Sequence, residues 1–403
     1  MMSNLAQHSD WPMVSFGDVV THIKDRVQDV MACGLQEYIR GEHFEPANLR
    51  LIGRSTLGDG KHGSAFCMRF RPGDVLYVSR NPQLRKAAIA DFEGICANTT
   101  YVCRAKEEYL LQDLLPFIMQ TESFVEYTIR NKRGSTNFYL NWSDIAGYEF
   151  ALPPLEEQRR IVEALQAASK FSDALATAHS STASNLASYS LEAFTKLHED
   201  ISTPKRPLGE LLQQDISNGI FRTKGQFGSG TRMINVTDIY ANFEVPTENL
   251  DRVPVDDDEY ESFSAKPGDV IFNRSSLVLS GIGHACLVPP VNEDLVFECH
   301  LMRARPNPAL IDARFLCYYA LSPHGRQHML SRAQTTTMTT ISQGDVREML
   351  VPCPSIEAQK KIAGNLDQIR QASSSLVERG SRLSNFAKVT LEHALSDSTE
   401  VPS

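Results

Sequence analysis

The stretch LPPLEEQRRIVEAL at 152–165 returns as CPSIEAQKKIAGNL at 353–366, and the offset, 353 − 152 = 201, is half of the 403-residue chain. No other feature limits the fold so strongly, because a repeat at fixed spacing obliges each copy to be a structural unit of the same kind. Two further anchors keep the same order. VSFGDVV (14–20) is answered by RPLGELL (206–212) and RPGDVLYVSR (71–80) by KPGDVIFNRS (266–275), at offsets of 192 and 195. Differences of a few residues are what loop insertions leave behind. The pattern is that of a tandem duplication.

Each half reads the same way. PGDV followed by alternating apolar residues (Val75 and Tyr77; Val270 and Phe272) is a turn entering a strand, and GICANTTYVCRA and GHACLVPP supply further short apolar runs. The spacing of Leu110, Leu111, Leu114, Leu115, Ile118 and Met119 predicts a helix within 106–128, with DARFLCYYALSP (312–323) as its counterpart. Neither half shows the regular strand–helix alternation of a doubly wound sheet. The composition then changes. From Glu156 to Leu197 and from Glu357 to Leu395 there is no proline and almost no glycine. Pro153-Pro154 and Pro354-Ser355 halt the preceding element, and acidic residues open each segment where a helix dipole favours them. Forty helical residues make a rod about 60 Å long. A heptad seam runs through Leu165, Ala168, Ser172, Leu175, His179, Thr182, Leu186, Tyr189 and Ala193, and in phase through Leu366, Ile369, Ser373, Leu376, Gly380, Leu383, Ala387, Thr390 and Ala394. Its small members suit close helix approach. The expected fold class is therefore α+β: two similar mixed α/β domains (1–155 and 200–354) separated by two long antiparallel helices (156–199 and 355–397) that form a coiled-coil spacer with pseudo-two-fold symmetry.

Bulk properties exclude several classes. With 42% apolar and 22% charged residues the chain reads as an ordinary globular protein. No run approaches the roughly 18 apolar residues of a membrane span. The opening MMSNLAQHSDWPMVSF lacks the basic segment and apolar core of a secretory signal, so a cytoplasmic protein is expected. The eight cysteines form no CxxC pair. His284 and His300 lie near Cys286 and Cys299, a pattern open to a metal site, but buried reduced thiols account for it better and no metal is expected. A Cys299–His300 nucleophile pair is poorly built, since neighbours on a strand face opposite ways. The net charge of −9 argues against a protein that coats nucleic acid, yet only the local field at a contact face decides DNA binding.

The order globular domain, PP-x-x-E-Q helix, globular domain, P-x-x-E-Q helix resembles the DNA-specificity subunits of type I restriction–modification systems over essentially the whole chain. LPPLEEQRRI (152–161) and CPSIEAQKKI (353–362) carry the resemblance most specifically, with the PGDV turns at 72–75 and 267–270 in support; Ser355 stands where the first copy has Pro154. The resemblance implies that each globular domain is a target-recognition domain reading half of a split DNA site. It implies that the helices hold the two apart and bind two methyltransferase subunits, with restriction subunits joining through the complex.

Sequence reading calls for side chains with paired donors or acceptors at base edges, while Lys and Arg hold phosphates. In the first half SRNPQLRKA offers Arg80, Asn81, Arg85 and Lys86 with no acid among them; IRNKRGSTN offers Arg130, Lys132, Arg133, Ser135 and Thr136; GDGKHGS offers Lys61 and His62. In the second half the candidates are Arg274 and Ser275 in NRSS, Arg222 and Lys224 in NGIFRTKGQFGSGTR, and Arg332, Gln334, Thr335, Thr336 and Thr337 in SRAQTTTMTT. The acidic run DRVPVDDDEYES (251–262) should face away from DNA or toward a basic partner. No methyltransferase tetrapeptide, phosphate loop or nuclease grouping is present, so no catalytic residue and no cofactor are expected. The alternatives are a duplicated protein-binding scaffold, separable by the salt dependence of DNA binding, and a specificity subunit serving a fused nuclease–methyltransferase.

Overall fold

The computed structural model describes residues 11–240, 242–335 and 338–395, and by contacts the chain divides into two compact units, 1–175 with 378–403, and 176–377. Each unit is thus one globular domain with parts of both long helices, which span Leu155–Glu199 and Ile356–Leu395.

In the first unit a four-stranded sheet runs in the order Val20–Ile23, Thr100–Ala105, Val75–Val78, Ala87–Ile89, all antiparallel. A second sheet is ordered Ser55–Thr56, Glu37–Tyr38, Gly94–Ala97, Phe66–Phe70. The strand after PGDV explains the arrangement. Val75 and Tyr77 enter one core with Phe16, Phe124 and Leu165, while Leu76 and Val78 enter another with Ile39, Phe44 and Phe70. A strand buried on both faces reads as an unbroken apolar run. The second unit repeats this division, with Val270 and Phe272 in one core and Ile271 in another. Its main sheet is ordered Leu212–Asn218, Leu301–Pro306, Val270–Asn273, Ala285–Leu287.

The sequence anchors mark structural joints. Gly73 and Gly268 both take φ = 88°, the left-handed region that side chains avoid. The next residues, Asp74 and Asp269, are buried and accept from the turn's own backbone (Arg71 N, 2.8 Å; Lys266 N, 2.7 Å) and from Arg104 and Arg305 at 2.7 Å. The outer anchors pair the ends of each domain: Met13–Ser15 with Glu149–Ala151, and Lys205–Pro207 with Leu350–Pro352. Beside them a Cβ on Gly17 would lie 2.8 Å from the Ala146 side chain, and one on Gly209 would lie 2.3 Å from that of Arg347.

The repeated glutamine of the elbow has one role in both copies. Gln158 is fully buried; its Oε1 accepts from Leu111 N (2.8 Å) and its Nε2 donates to the carbonyls of Tyr109 and Pro153 (2.8 Å each). Gln359 does the same with Asp312 N (2.9 Å), Leu310 O (3.2 Å) and Pro354 O (3.0 Å). This clamp corrects the expected helix over 106–128. The backbone at 109–111 is engaged by Gln158, and helix forms only at Leu115–Ile118 and Glu122–Arg130, with Thr121 capping the second. In the second unit the clamp sits just before Ala313–Leu321, whose cap is Asp312.

Within each unit the two long helices pack antiparallel along the expected seam. In the second unit His179 Nδ1 meets Ser373 Oγ at 2.9 Å and Asn365 Nδ2 donates to Tyr189 Oη at 2.7 Å, while Leu186 and Leu366 share one core. In the first unit Ala387 packs on the core holding Ile161 and Leu165. All eight cysteines are free thiols. Cys286 is buried in the core, apart from the Cys299–His300 step, and those two residues occupy a turn rather than a strand, so strand alternation does not separate them.

Candidate nucleic-acid interface

In the first unit the chain after the Val75–Val78 strand lies against the loop that precedes the elbow. Asn81 N donates to Phe138 O (2.9 Å), Leu140 N donates to Ser79 O (3.0 Å), and Arg80 bridges to Tyr139. The loop closes on itself, Arg133 N to Tyr139 O at 2.8 Å and Tyr139 N to Arg133 O at 3.0 Å, around Gly134 at φ = 89°. Arg80, Asn81, Lys132, Arg133, Ser135 and Thr136 are therefore brought onto one ribbon. Arg80 stands 5.7 Å from the Tyr139 ring centre and Lys132 Nζ 4.1 Å from that of Phe138. Ser135 and Thr136 are exposed.

The second unit builds the same ribbon. Ser275–Ser276 pairs antiparallel with Thr339–Thr340, which pairs with Gln334–Thr335. Ser275 opposes Thr340, and Gln334 opposes Thr340. Shifting Arg80 by 195, and Tyr139 and Arg133 by 201, lands on these three residues. The backbone pairing is conserved between the copies and the side chains are not: Arg80 against Ser275, Arg133 against Gln334, Tyr139 against Thr340. Arg274 lies half-buried at the ribbon's base, its N–H on His300 O (2.8 Å), and Arg332 precedes the ribbon at the end of Pro323–Arg332. Thr336 and Thr337 lie outside the described residues.

Not every candidate joins the ribbon. Lys61 and His62 lie on the loop after Ser55–Thr56, and His62 lines a cleft of about 520 Å³ together with Arg26, Gln28, Ser64 and Cys67. His62 faces Tyr38 at 5.8 Å. Lys86 donates to Gly41 O (2.6 Å), Arg130 to its own helix at Glu126 O (3.4 Å), and Lys224 opens an exposed turn, Lys224–Gln226. Arg222 turns inward. Its side chain is 10% exposed and is held by Pro254 O (2.8 Å) and Glu259 (2.5 Å), a member of the acidic run.

Other arginines also meet acids that lie far along the chain: Arg85 with Glu122 (2.7 Å), Arg133 with Asp144 (2.7 and 2.8 Å), and Arg332 with Glu348 (3.2 Å). The Arg133 hydrogen bonds hold the Asp144 carboxyl below the usual carboxylate range. Arg332 (48% exposed) pairs with a glutamate that is 62% exposed, and an exposed pair of this kind contributes roughly 0–1 kcal/mol, so it can exchange the acid for a phosphate at little cost. Arg133 is 54% exposed but holds Asp144, whose side chain is only 11% exposed, and Arg222 is turned inward. Tyr139, Phe138 and Thr340 were not among the sequence candidates. The interleaving of aromatics with Lys and Arg in IRNKRGSTNFYL was the available signal for the first two.

The same backbone ribbon is built twice and carries different side chains in the two copies. A family model described as the type I restriction modification DNA specificity domain matches residues 52–181 and 205–380, and the chain belongs to that family. It is 21% identical over 390 residues to the type I restriction enzyme MjaVIII specificity subunit of Methanocaldococcus jannaschii, covering 91% of this chain and 88% of that protein. It is 24% identical over 170 residues to the EcoDI specificity subunit of Escherichia coli, covering 41% and 36%. The fold is shared with a solved structure from work on assembly and conformational transition of the type I R-M system (TM-score 0.60, 20% identity, 96% of this chain and 98% of that one). It is also shared with the S subunit from M. genitalium (TM-score 0.59, 14% identity, 98% and 99%). Its function is DNA recognition within a type I restriction–modification system. Among the described residues no helix is long and apolar enough to cross a membrane.

Proposed function

We propose that the domain at 1–155 reads one half of a bipartite DNA site and the domain at 200–354 the other, while helices 156–199 and 355–397 set the gap between them. Two methyltransferase subunits, and restriction subunits through the complex, are the partners, and this chain contributes no catalytic group of its own. The observation that carries the reading is the repeated ribbon. Equal backbone frames place Arg80, Arg133 and Tyr139 in one copy where Ser275, Gln334 and Thr340 stand in the other. Arg favours guanine edges or phosphates, Gln pairs with adenine, and Ser and Thr accept either role, so the two copies suit different half-sites. Arg80, Asn81, Lys132, Arg133, Ser135 and Thr136 form the first contact set. Arg274, Ser275, Arg332, Gln334 and Thr335 form the second. Lys61, His62, Arg85, Lys86, Arg130 and Lys224 serve as flanking phosphate contacts.

The test is an exchange of residues 1–155 for the equivalent domain of another specificity subunit, with subsequent sequencing of methylated sites in cells that carry the partner methyltransferase. One half of the methylated motif should change, with the gap and the other half kept. A change in both halves, or in neither, overturns the two-reader assignment.

A further inference from the structure

The turn Glu298–His300, between the strands Leu295–Phe297 and Leu301–Pro306 of the second unit, gathers three metal-ligating side chains that DNA reading does not use. His300 Nδ1 lies 2.9 Å from Glu298 Oε2 and 3.6 Å from Cys299 Sγ, and Sγ lies 3.7 Å from the same Oε2. Zinc binds nitrogen and oxygen at about 2.0–2.2 Å and sulfur at about 2.3 Å, so the edges of its tetrahedron measure roughly 3.3–3.6 Å. The three edges found here fall within about half an ångström of that range. We propose that Glu298, Cys299 and His300 form one face of a tetrahedral zinc site whose fourth position is open to solvent or to a ligand.

The donor set selects the metal. A thiolate with an imidazole favours zinc and its late first-row neighbours and disfavours magnesium and calcium, which take oxygen ligands. On binding, the Cys299 thiol gives its proton to solvent, the imidazole coordinates as its neutral form, and no redox change occurs. The turn is held in place from both sides. Glu298 N donates to Ile234 O (3.0 Å), Leu301 N donates to Glu298 O (3.0 Å), and Arg274 N donates to His300 O (2.8 Å). The Arg274 guanidinium also reaches Cys299 O at 3.5 Å. A metal that fixes this turn therefore fixes the backbone under Arg274. That consequence rests on the proposed DNA contact of Arg274, whereas the metal site does not.

The test uses the full-length protein, stripped with chelator and titrated with cobalt(II) as a zinc probe. One equivalent should give the near-ultraviolet thiolate-to-cobalt band and the strong visible bands of a tetrahedral ion, all displaced by zinc. Cys299→Ser should remove the thiolate band and His300→Ala should weaken binding at least tenfold, while Cys33→Ser and Cys353→Ser change neither. Absence of the band at stoichiometric cobalt overturns the site. So does a band that survives Cys299→Ser, or one indifferent to His300→Ala, which would mark adventitious thiol binding. Circular dichroism of each variant separates loss of ligand from loss of fold, and DNA binding enters none of these readouts.

Discussion

Gln158 and Gln359 show how one residue fixes an elbow. A buried amide is costly unless its donors and acceptor are all used, and here one Oε1 and one Nε2 satisfy three backbone groups that no regular element claims. Gln158→Ala leaves the Leu111 N–H and the Tyr109 and Pro153 carbonyls without that partner. Each orphaned group costs about 1–3 kcal/mol before water or movement compensates, so a net loss of about 2–4 kcal/mol is expected. Gln158→Glu should lose a similar amount, because an ionised carboxylate cannot donate to two carbonyls. Both tryptophans, Trp11 and Trp142, belong to the first unit, so urea unfolding monitored by tryptophan fluorescence reports on it directly. A midpoint that stays in place would show the clamp to be idle. The motif was legible in sequence because it recurs, but its role was not, since its partners lie 47 and 49 residues away.

At the scale of elements, period and punctuation located strands, caps and rods, and long-range hydrogen bonding overrode them where it competed. Of the six apolar residues at 110–119 that keep helical spacing, all but Leu111 are buried, yet the backbone beside them answers to Gln158. Charge counted along a loop likewise misses partners that lie far off in sequence. Arg222 and Arg85 each meet a glutamate 37 residues on, beyond the reach of any local charge count. The end of the first rod offers a prediction of its own. His198 stacks on His324 at 4.4 Å and hydrogen-bonds Tyr319 Oη at 2.9 Å, and Tyr319 belongs to the core of the second unit. Burial first, then the proximity of His324 and Lys205, lowers the His198 pKa from its usual 6.5. The folded state then binds fewer protons than the unfolded one. The contribution is complete above pH 6.5 and declines as pH falls through the lowered value. The Tm of the second unit should drop between pH 7.5 and 5.5, and His198→Asn should flatten that drop. Parallel pH profiles for the two proteins would refute the assignment.

At the scale of the whole molecule, duplication was the most legible feature, because three anchors at nearly constant offset survive where most side chains have diverged. What sequence withheld is the ribbon, whose equivalence rests on backbone pairing (Arg80 with Tyr139, Ser275 with Thr340) and not on shared residues. The division of the chain also sharpens the test of the spacer. The two units part at Leu175 and Val377, so residues added to both rods there disturb the interior of neither. Four residues lengthen each rod by about 6 Å and rotate its downstream part by about 40°, since 4 × 100° is 400°. That length is nearly two base pairs at about 3.4 Å each, and DNA turns in the same right-handed sense by about 70° over two base pairs. The seam shift is a stutter that local unwinding absorbs, and insertion in both rods keeps their antiparallel registers matched. Sequencing of methylated sites should therefore find both half-sites unchanged and the gap longer by one or two base pairs. A single insertion, which leaves the rods mismatched, should reduce stability and methylation instead. An active double variant with an unaltered gap would mean that something other than these helices measures the distance.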